Sequence, residues 1–232
     1  MVLFCVVGEM GAGKTLTATH LAFKNWYFRK MKIFSNYHLF QIPYYYIETV
    51  SQLLEMRDGV AVLDELWRIC DARMSRSSKN QFVGDILARS RKRHLVYLFT
   101  AQVIDTIDRR IRKVQDFTAY PILNRTETFC KVTIFRTGYP KEANYMKTIY
   151  FDTAIPMQCY DTDEEVDMVD DLKDEVRKPP QLMFQEKYNP EHGYGCQCEE
   201  CKTKFFKTWE EADKYGEEYW KKKFHEILKE NK

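Results

Sequence analysis

Residues 8–15 read GEMGAGKT and follow directly on six apolar residues, VLFCVV, at 2–7. No other feature narrows the possible folds so far. G-x-x-x-x-G-K-T needs a strand before it and a helix after it, and both patterns are present. The glycines let successive backbone N–H groups turn inward around a phosphate, and the helix that starts there adds its positive end. Gly8, Gly11, Ala12, Gly13, Lys14, Thr15 and Leu16 are therefore the expected nucleotide-binding residues. Lys14 reaches the β- and γ-phosphates, and the Thr15 hydroxyl is placed to ligate Mg²⁺. The glycines are not spaced G-x-G-x-x-G, which sets aside a dinucleotide site.

A second run, VAVLDE at 60–65, is an apolar strand that delivers two carboxylates at its C-terminal end, the same sheet edge as the glycine loop. In that position Asp64 binds nucleotide-held Mg²⁺, and Glu65 orients and deprotonates the attacking water. The alternative is that the pair caps the next helix. Together the two motifs favour hydrolysis of ATP. A small-molecule kinase would need an acceptor pocket that nothing here announces. A further strand, LVYLFTAQ at 95–102, ends beside this pair, so Gln102 or Thr100 would sense the γ-phosphate or position the water; a neutral polar strand tip is equally open.

Short β-type runs at 2–7, 32–36, 60–63, 95–100 and 117–120 alternate with helical patterns at 13–30, 49–56, 80–92 and 104–113. This alternation predicts an α/β fold of the P-loop NTPase kind: a mostly parallel sheet with helices on both faces. Strand-like runs at 129–136 and 146–151 predict an antiparallel extension at one edge. The expected organisation is a P-loop ATPase domain over 1–155, an acidic linker over 156–182 and a small C-terminal Cys-cluster and helical module over 183–232. A charged helix is expected at 209–229.

Charge divides the chain along similar lines. Residues 1–150 carry 23 Lys and Arg against 13 Asp and Glu, whereas 151–232 carry 13 against 21. The basic part invites a polyanion such as double-stranded DNA, which the acidic part would repel. Residues 161–175 hold nine acidic residues and one Lys, read either as a solvated spacer or as a cover over the basic face that DNA displaces. Basic clusters lie at 88–94 and 108–113. Arg109 and Arg112 lead as arginine fingers acting in trans within a homo-oligomeric ring, with solvated helix faces or DNA-phosphate contacts as the alternatives. The stretch 73–79 is a pore loop for DNA or a surface loop.

The order GEMGAGKT, KIFSNYHL, VAVLDELW, ARSRKRHLVYLFTAQ and VIDTIDRRIR resembles the N-terminal ATPase domain of zonular occludens toxin (Zot)-like proteins, over roughly residues 1–125. These are phage morphogenesis ATPases akin to the FtsK–HerA superfamily, which includes packaging enzymes of archaeal viruses. The resemblance implies ATPase roles for Lys14, Thr15, Asp64, Glu65 and Gln102, and work that moves DNA into or out of a virion. Zot-like proteins typically carry a transmembrane segment after this domain. Here an acidic stretch and a Cys cluster follow instead, so the expectation is a soluble, cytoplasmic packaging ATPase with no membrane span and a virion or capsid protein as partner.

Four of the seven Cys stand singly and three are clustered. His192, Cys196, Cys198 and Cys201 are enough for a Cys₃His zinc site. Downstream, Phe206, Ala212, Tyr215 and Tyr219 fit the helix of a C₂H₂ finger except that tyrosines replace both histidines. Either His192 and Cys196 complete a site, or His225 folds back, or the thiols are free. The leading functional expectation is an ATP-driven DNA translocase. Its rivals are a nucleotide-dependent switch that recruits partners through the tail, and a small-molecule phosphotransferase.

Overall fold

The computed structural model describes residues 2–137, 143–172 and 178–230. Ten strands form one sheet: β1 (Val2–Val7), β2 (Lys32–Ser35), β3 (Tyr44–Tyr46), β4 (Gly59–Leu63), β5 (Leu95–Ala101), β6 (Phe117–Leu123), β7 (Phe129–Thr137), β8 (Ala143–Asp152), β9 (Gln181–Gln185) and β10 (Thr203–Phe205). Across the sheet they run β10-β9-β3-β2-β4-β5-β1-β6-β7-β8. The six central strands are mutually parallel. Antiparallel strands flank them on both sides, β7 and β8 beyond β6, and β9 and β10 beyond β3. The extension by β7 and β8 matches expectation. Residues 138–142 of the connection between them lie outside the described residues.

Burial on both faces follows from strand alternation. On β1, Phe4 and Val6 face one layer while Leu3, Cys5 and Val7 face the other. The first layer holds α1 (Lys14–Arg29) and α5 (Trp209–Glu230); the second holds α2 (Leu66–Ile69), α3 (Ser78–Ala88) and α4 (Arg109–Val114). Ser77 and Asp108 cap α3 and α4 by accepting backbone N–H bonds from Asn80 and Arg110. The helix expected at 80–92 therefore starts at Ser78 and gives way to a 3₁₀ turn after Ala88. The helix expected at 104–113 is interrupted ahead of the Asp108 cap.

The structure differs most from expectation after residue 155. Residues 156–172 are no solvated spacer: Val166, Met168 and Asp171 are buried, and Asp171 accepts bonds from the Ser51 backbone N–H (2.8 Å) and hydroxyl. Val166 and Met168 supply the apolar anchors that an unbroken run of carboxylates would lack. Residues 173–177 lie outside the described residues. The expected appendage shares the main sheet through β9 and β10, and α5 lies on α1. Trp220 is wholly buried, donates to the Gln41 carbonyl at 2.7 Å and meets Phe23 edge-on. The Trp26 indole donates to Asp213 at 2.7 Å. The helices approach so closely at Gly216 that a Cβ there would lie 2.6 Å from the Trp26 ring.

Candidate functional site

The nucleotide loop joins β1 to α1 at the C-terminal edge of the parallel strands. Gly11 and Gly13 have φ of 75° and 90°, a left-handed backbone that other residues adopt only at a cost. The Lys14 side chain is folded onto the loop, its ammonium donating to the Glu9 carbonyl at 3.0 Å.

Strand β4 brings Asp64 to the first turn of α1. The Thr15 hydroxyl lies 3.1 Å from Asp64 Oδ2 and 3.2 Å from Oδ1. Thr100, from β5, donates its hydroxyl to Asp64 Oδ1 and accepts the Glu65 backbone N–H at 3.0 Å. Asn36, after β2, clamps the Asp64 backbone from both sides: its Oδ1 accepts the N–H at 2.7 Å and its Nδ2 donates to the carbonyl at 3.0 Å. Burial pushes the Asp64 carboxyl up to about 6, against the opposing pull of the Thr100 and Thr15 hydroxyls. An ionised carboxylate at this depth calls for a cation. Thr15 and Asp64 offer hard oxygen donors that fit Mg²⁺, and the glycine loop fits the phosphates of a nucleotide.

Glu65 holds a left-handed conformation at φ 52°, a strained geometry for a side chain with a Cβ. Its carboxylate accepts the Trp67 indole N–H. The cleft of about 470 Å³ in front of these groups brings together Gly11, Gly13, Lys14, Thr15, Leu16, Asp64, Glu65 and Gln102. Gly8 and Ala12 line a neighbouring hollow with Tyr120 and Ile122. Arg109 and Arg112 are absent from the cleft lining. Arg109 is exposed on α4, while Arg112 is ion-paired with Asp105.

Tyr160, Thr162, Asp163, Glu164, Glu165 and Val166 form the opposite wall of the cleft. Glu164 accepts the His38 backbone N–H at 2.9 Å and meets His38 Nδ1 at 2.7 Å. Sequence reasoning missed this wall, because an acidic run reads as solvated until its scattered apolar residues find a core. It also gave no role to Asn36 or Trp67, although the SN at 35–36 belongs to the motif series that carries the family resemblance. Of the basic clusters, Arg93 is turned to structural use, bonding the carbonyls of Leu53 and Leu54 at 3.1 and 2.9 Å. The 73–79 stretch is a turn from which Arg73 pairs back with Asp71 and in which Ser77 caps α3.

In the tail, the ligand atoms of His192, Cys196, Cys198 and Cys201 all lie within 4.8 Å of one another. His225 is exposed on α5 and is not among them. Tyr215 and Tyr219 pack against Phe184 instead. No helix among the described residues is long and apolar enough to cross a membrane.

The N-terminal domain of zonular occludens toxin from Neisseria meningitidis is similar in structure, with 15% identity, 69% of this chain and 100% of that one covered, and a TM-score of 0.47. So is the genome packaging NTPase B204 from Sulfolobus turreted icosahedral virus 2 in complex with AMP, with 11% identity, 64% and 98% covered, and a TM-score of 0.47. No curated protein matches the sequence. The family model for the ATPase family associated with various cellular activities (AAA) matches residues 4–120, half of the chain. That span runs from β1 through the glycine loop, the Asp64–Glu65 pair and Gln102 into β6, and the chain belongs to this family of P-loop ATPases.

Proposed function

We propose that this ATPase moves double-stranded DNA, packaging a viral genome into a virion in the cytoplasm of a host cell. The observation that carries the reading is the path from Gln102 to Arg112. This segment leaves the nucleotide cleft at the tip of β5 and enters α4, which presents Arg109, Arg110 and Lys113 at the surface. Arg89 and Lys92, beyond α3, and Arg73, in the turn before it, are exposed as well, so the α3–α4 layer carries the cationic surface. A change at the γ-phosphate felt by Gln102 would thus move a surface suited to DNA phosphates.

Within the cleft, Lys14 and the loop amides would hold the phosphates, and Thr15 and Asp64 would hold Mg²⁺. The metal they would hold would supply charge neutralisation for phosphoryl transfer. Glu65 would accept the proton of the attacking water, oriented by its bond to Trp67. Arg109 is the better candidate for completing a neighbour's site in a homo-oligomeric ring, because Arg112 is tied to Asp105. The boundaries expected at 155 and 182 then separate roles rather than folding units. Residues 1–155 hydrolyse ATP, and the tail meets a virion or capsid protein while sharing the sheet.

A second reading, a nucleotide-dependent switch, is favoured by the acidic wall, since the segment that leads into the tail lines the cleft itself. Steady-state ATP hydrolysis with and without double-stranded DNA at low salt separates the two. Stimulation by DNA that vanishes in Glu65→Gln supports the motor; nucleotide binding with DNA-indifferent turnover overturns it in favour of the switch.

A further inference from the structure

The cluster at 192–201 has the chemistry and the shape of a metal centre. Three thiols and an imidazole are a soft donor set that selects zinc over Mg²⁺ or Ca²⁺. With Zn–S near 2.3 Å and Zn–N near 2.1 Å, a tetrahedral ion sets its ligand atoms about 3.5–3.8 Å apart. His192 Nδ1 lies 3.1 Å from Cys198 Sγ and 3.6 Å from Cys201 Sγ, so a small expansion of the cluster admits the ion. The backbone is shaped for it. Gly193 and Gly195 take left-handed φ of 71° and 73°, which folds His192 back over the cysteines. The Cys198 N–H points at Cys196 Sγ at 3.5 Å, and the Cys201 carbonyl receives the Glu186 N–H at 3.2 Å where β9 ends.

One residue inside this loop reaches the back of the acidic wall of the nucleotide cleft. Tyr194 stacks on His38 with ring centres 3.9 Å apart, and its hydroxyl donates to Asp161 at 2.7 Å. His38 in turn holds Glu164 in the cleft wall. Glu164 is thereby kept at a fixed position in the lining of the space where a triphosphate would lie, and Asp161 tethers the chain between Tyr160 and Thr162 of the same wall. Released, Glu164 would be free to repel the triphosphate, and the wall would lose its shape.

We propose that His192, Cys196, Cys198 and Cys201 hold a structural Zn²⁺, and that this ion, through Tyr194, His38 and Asp161, fixes the acidic wall of the nucleotide cleft and so sets nucleotide affinity. The affinity half rests on the ATP reading above; the metal half does not. Tyr194 is a positioning residue, since it lies behind the wall rather than in the cleft lining.

The test begins with the metal content of the full-length protein, measured without nucleotide. One zinc per chain is expected, with Co²⁺ substitution giving the absorption bands of a tetrahedral thiolate site. A metal-free protein whose clustered thiols react freely overturns the proposal. Next, Cys198→Ser and Tyr194→Ala are compared with wild type. Zinc should be lost only in the first, and the KM for ATP should rise in both by about five- to tenfold, the lower range for coupled sites, while kcat at saturation holds within about twofold. Tyr194→Phe, which keeps the stack and loses the hydroxyl, should fall between. If Cys198→Ser does not fold, the Tyr194 pair reads the same link with zinc in place. Zinc present with an unchanged KM in Tyr194→Ala overturns the link, and zinc present in a chain that binds no nucleotide overturns it by removing the ATP reading beneath it.

Discussion

The glycine loop and the acidic wall face each other across one cleft, yet they are made in opposite ways. The loop is local: Gly8 to Thr15 are consecutive, their conformation is dictated by glycines at 11 and 13, and the strand and helix beside them are adjacent in sequence. The wall is assembled at long range. Glu164 is placed by His38, the adjoining Asp161 behind the wall by Tyr194, and the buried Val166 by the core that α1 and α5 share with the sheet. A local site declares itself in sequence, whereas a site built from distant anchors does not. Substitutions in the loop and its carboxylates should therefore change chemistry at nearly constant stability. Substitutions behind the wall should change stability or affinity with the chemistry spared.

The largest effect expected is Glu65→Gln. Losing a general base removes about 10²–10⁴-fold in kcat, while nucleotide binding and the melting temperature stay close to wild type. Lys14→Ala should differ by losing nucleotide binding as well, read by fluorescence titration with an ATP analogue. Unchanged turnover in Glu65→Gln would assign the base elsewhere and break the local half of the comparison.

The tail gives the complementary result. Trp220→Ala empties a wholly buried site between α5 and α1, at a cost of about 3–5 kcal/mol. Gly216→Ala is the sharper probe. Alanine at an open helix position would stabilise by roughly 1 kcal/mol. Here the added methyl would meet the buried Trp26 ring at 2.6 Å and the Pro43 ring at 3.1 Å. Overpacking costs about 1–3 kcal/mol, so the expected sign is destabilising. Chemical denaturation would read both. A more stable Gly216→Ala would mean that α5 sits loosely on α1, and that the tail is the separable module the sequence suggests.

Asn36 lies between the two cases. The sequence shows it as part of a motif, but only the geometry shows it gripping both backbone groups of Asp64. Asn36→Ala leaves a buried N–H and carbonyl unpaired, worth about 1–3 kcal/mol, and frees the carboxylate that meets Thr15. A fall in melting temperature together with weaker Mg²⁺ dependence of hydrolysis is expected. A fall in temperature alone would reduce Asn36 to a structural brace.

Much of the fold is legible in the sequence because the central strands are continuous apolar runs and the loop motif fixes what flanks them. What is not legible shares one cause. Strand β3 is three residues long, and β9 is five residues following two prolines; each is stabilised by pairing with the other across a long sequence separation. Neither has enough local pattern to be seen. In the same way Arg93 reads as part of a cationic cluster, yet its guanidinium is spent on two carbonyls. The cysteine cluster is legible as a set of ligands, while the tyrosine that ties it to the cleft is not, since nothing local distinguishes Tyr194 from the other tyrosines of the tail.

The smallest effect lies where the two regions join. His20, on the helix that begins at the loop, stacks on Phe151 of β8 with ring centres 3.8 Å apart, and β8 leads into the segment that forms the wall. Burial, with a lesser contribution from Lys24, lowers its pKa from 6.5 to about 4. The neutral ring is the form the fold accepts. Between those two values the unfolded chain binds the proton and the folded one does not, so stability falls as pH drops from 6.5 towards 4 and falls no further from this group below that. Screening at a partly exposed ring holds the loss to on the order of 1 kcal/mol. Acidification also titrates the carboxylates of the wall, and the comparison with His20→Phe removes that background, since phenylalanine keeps the stack and takes no proton. Melting curves of the two proteins should separate steadily as pH falls from 6.5 to 4, with the variant the more stable. Parallel curves would mean that the ring reaches water on acidification, and that α1 and β8 part easily where the loop and the wall meet.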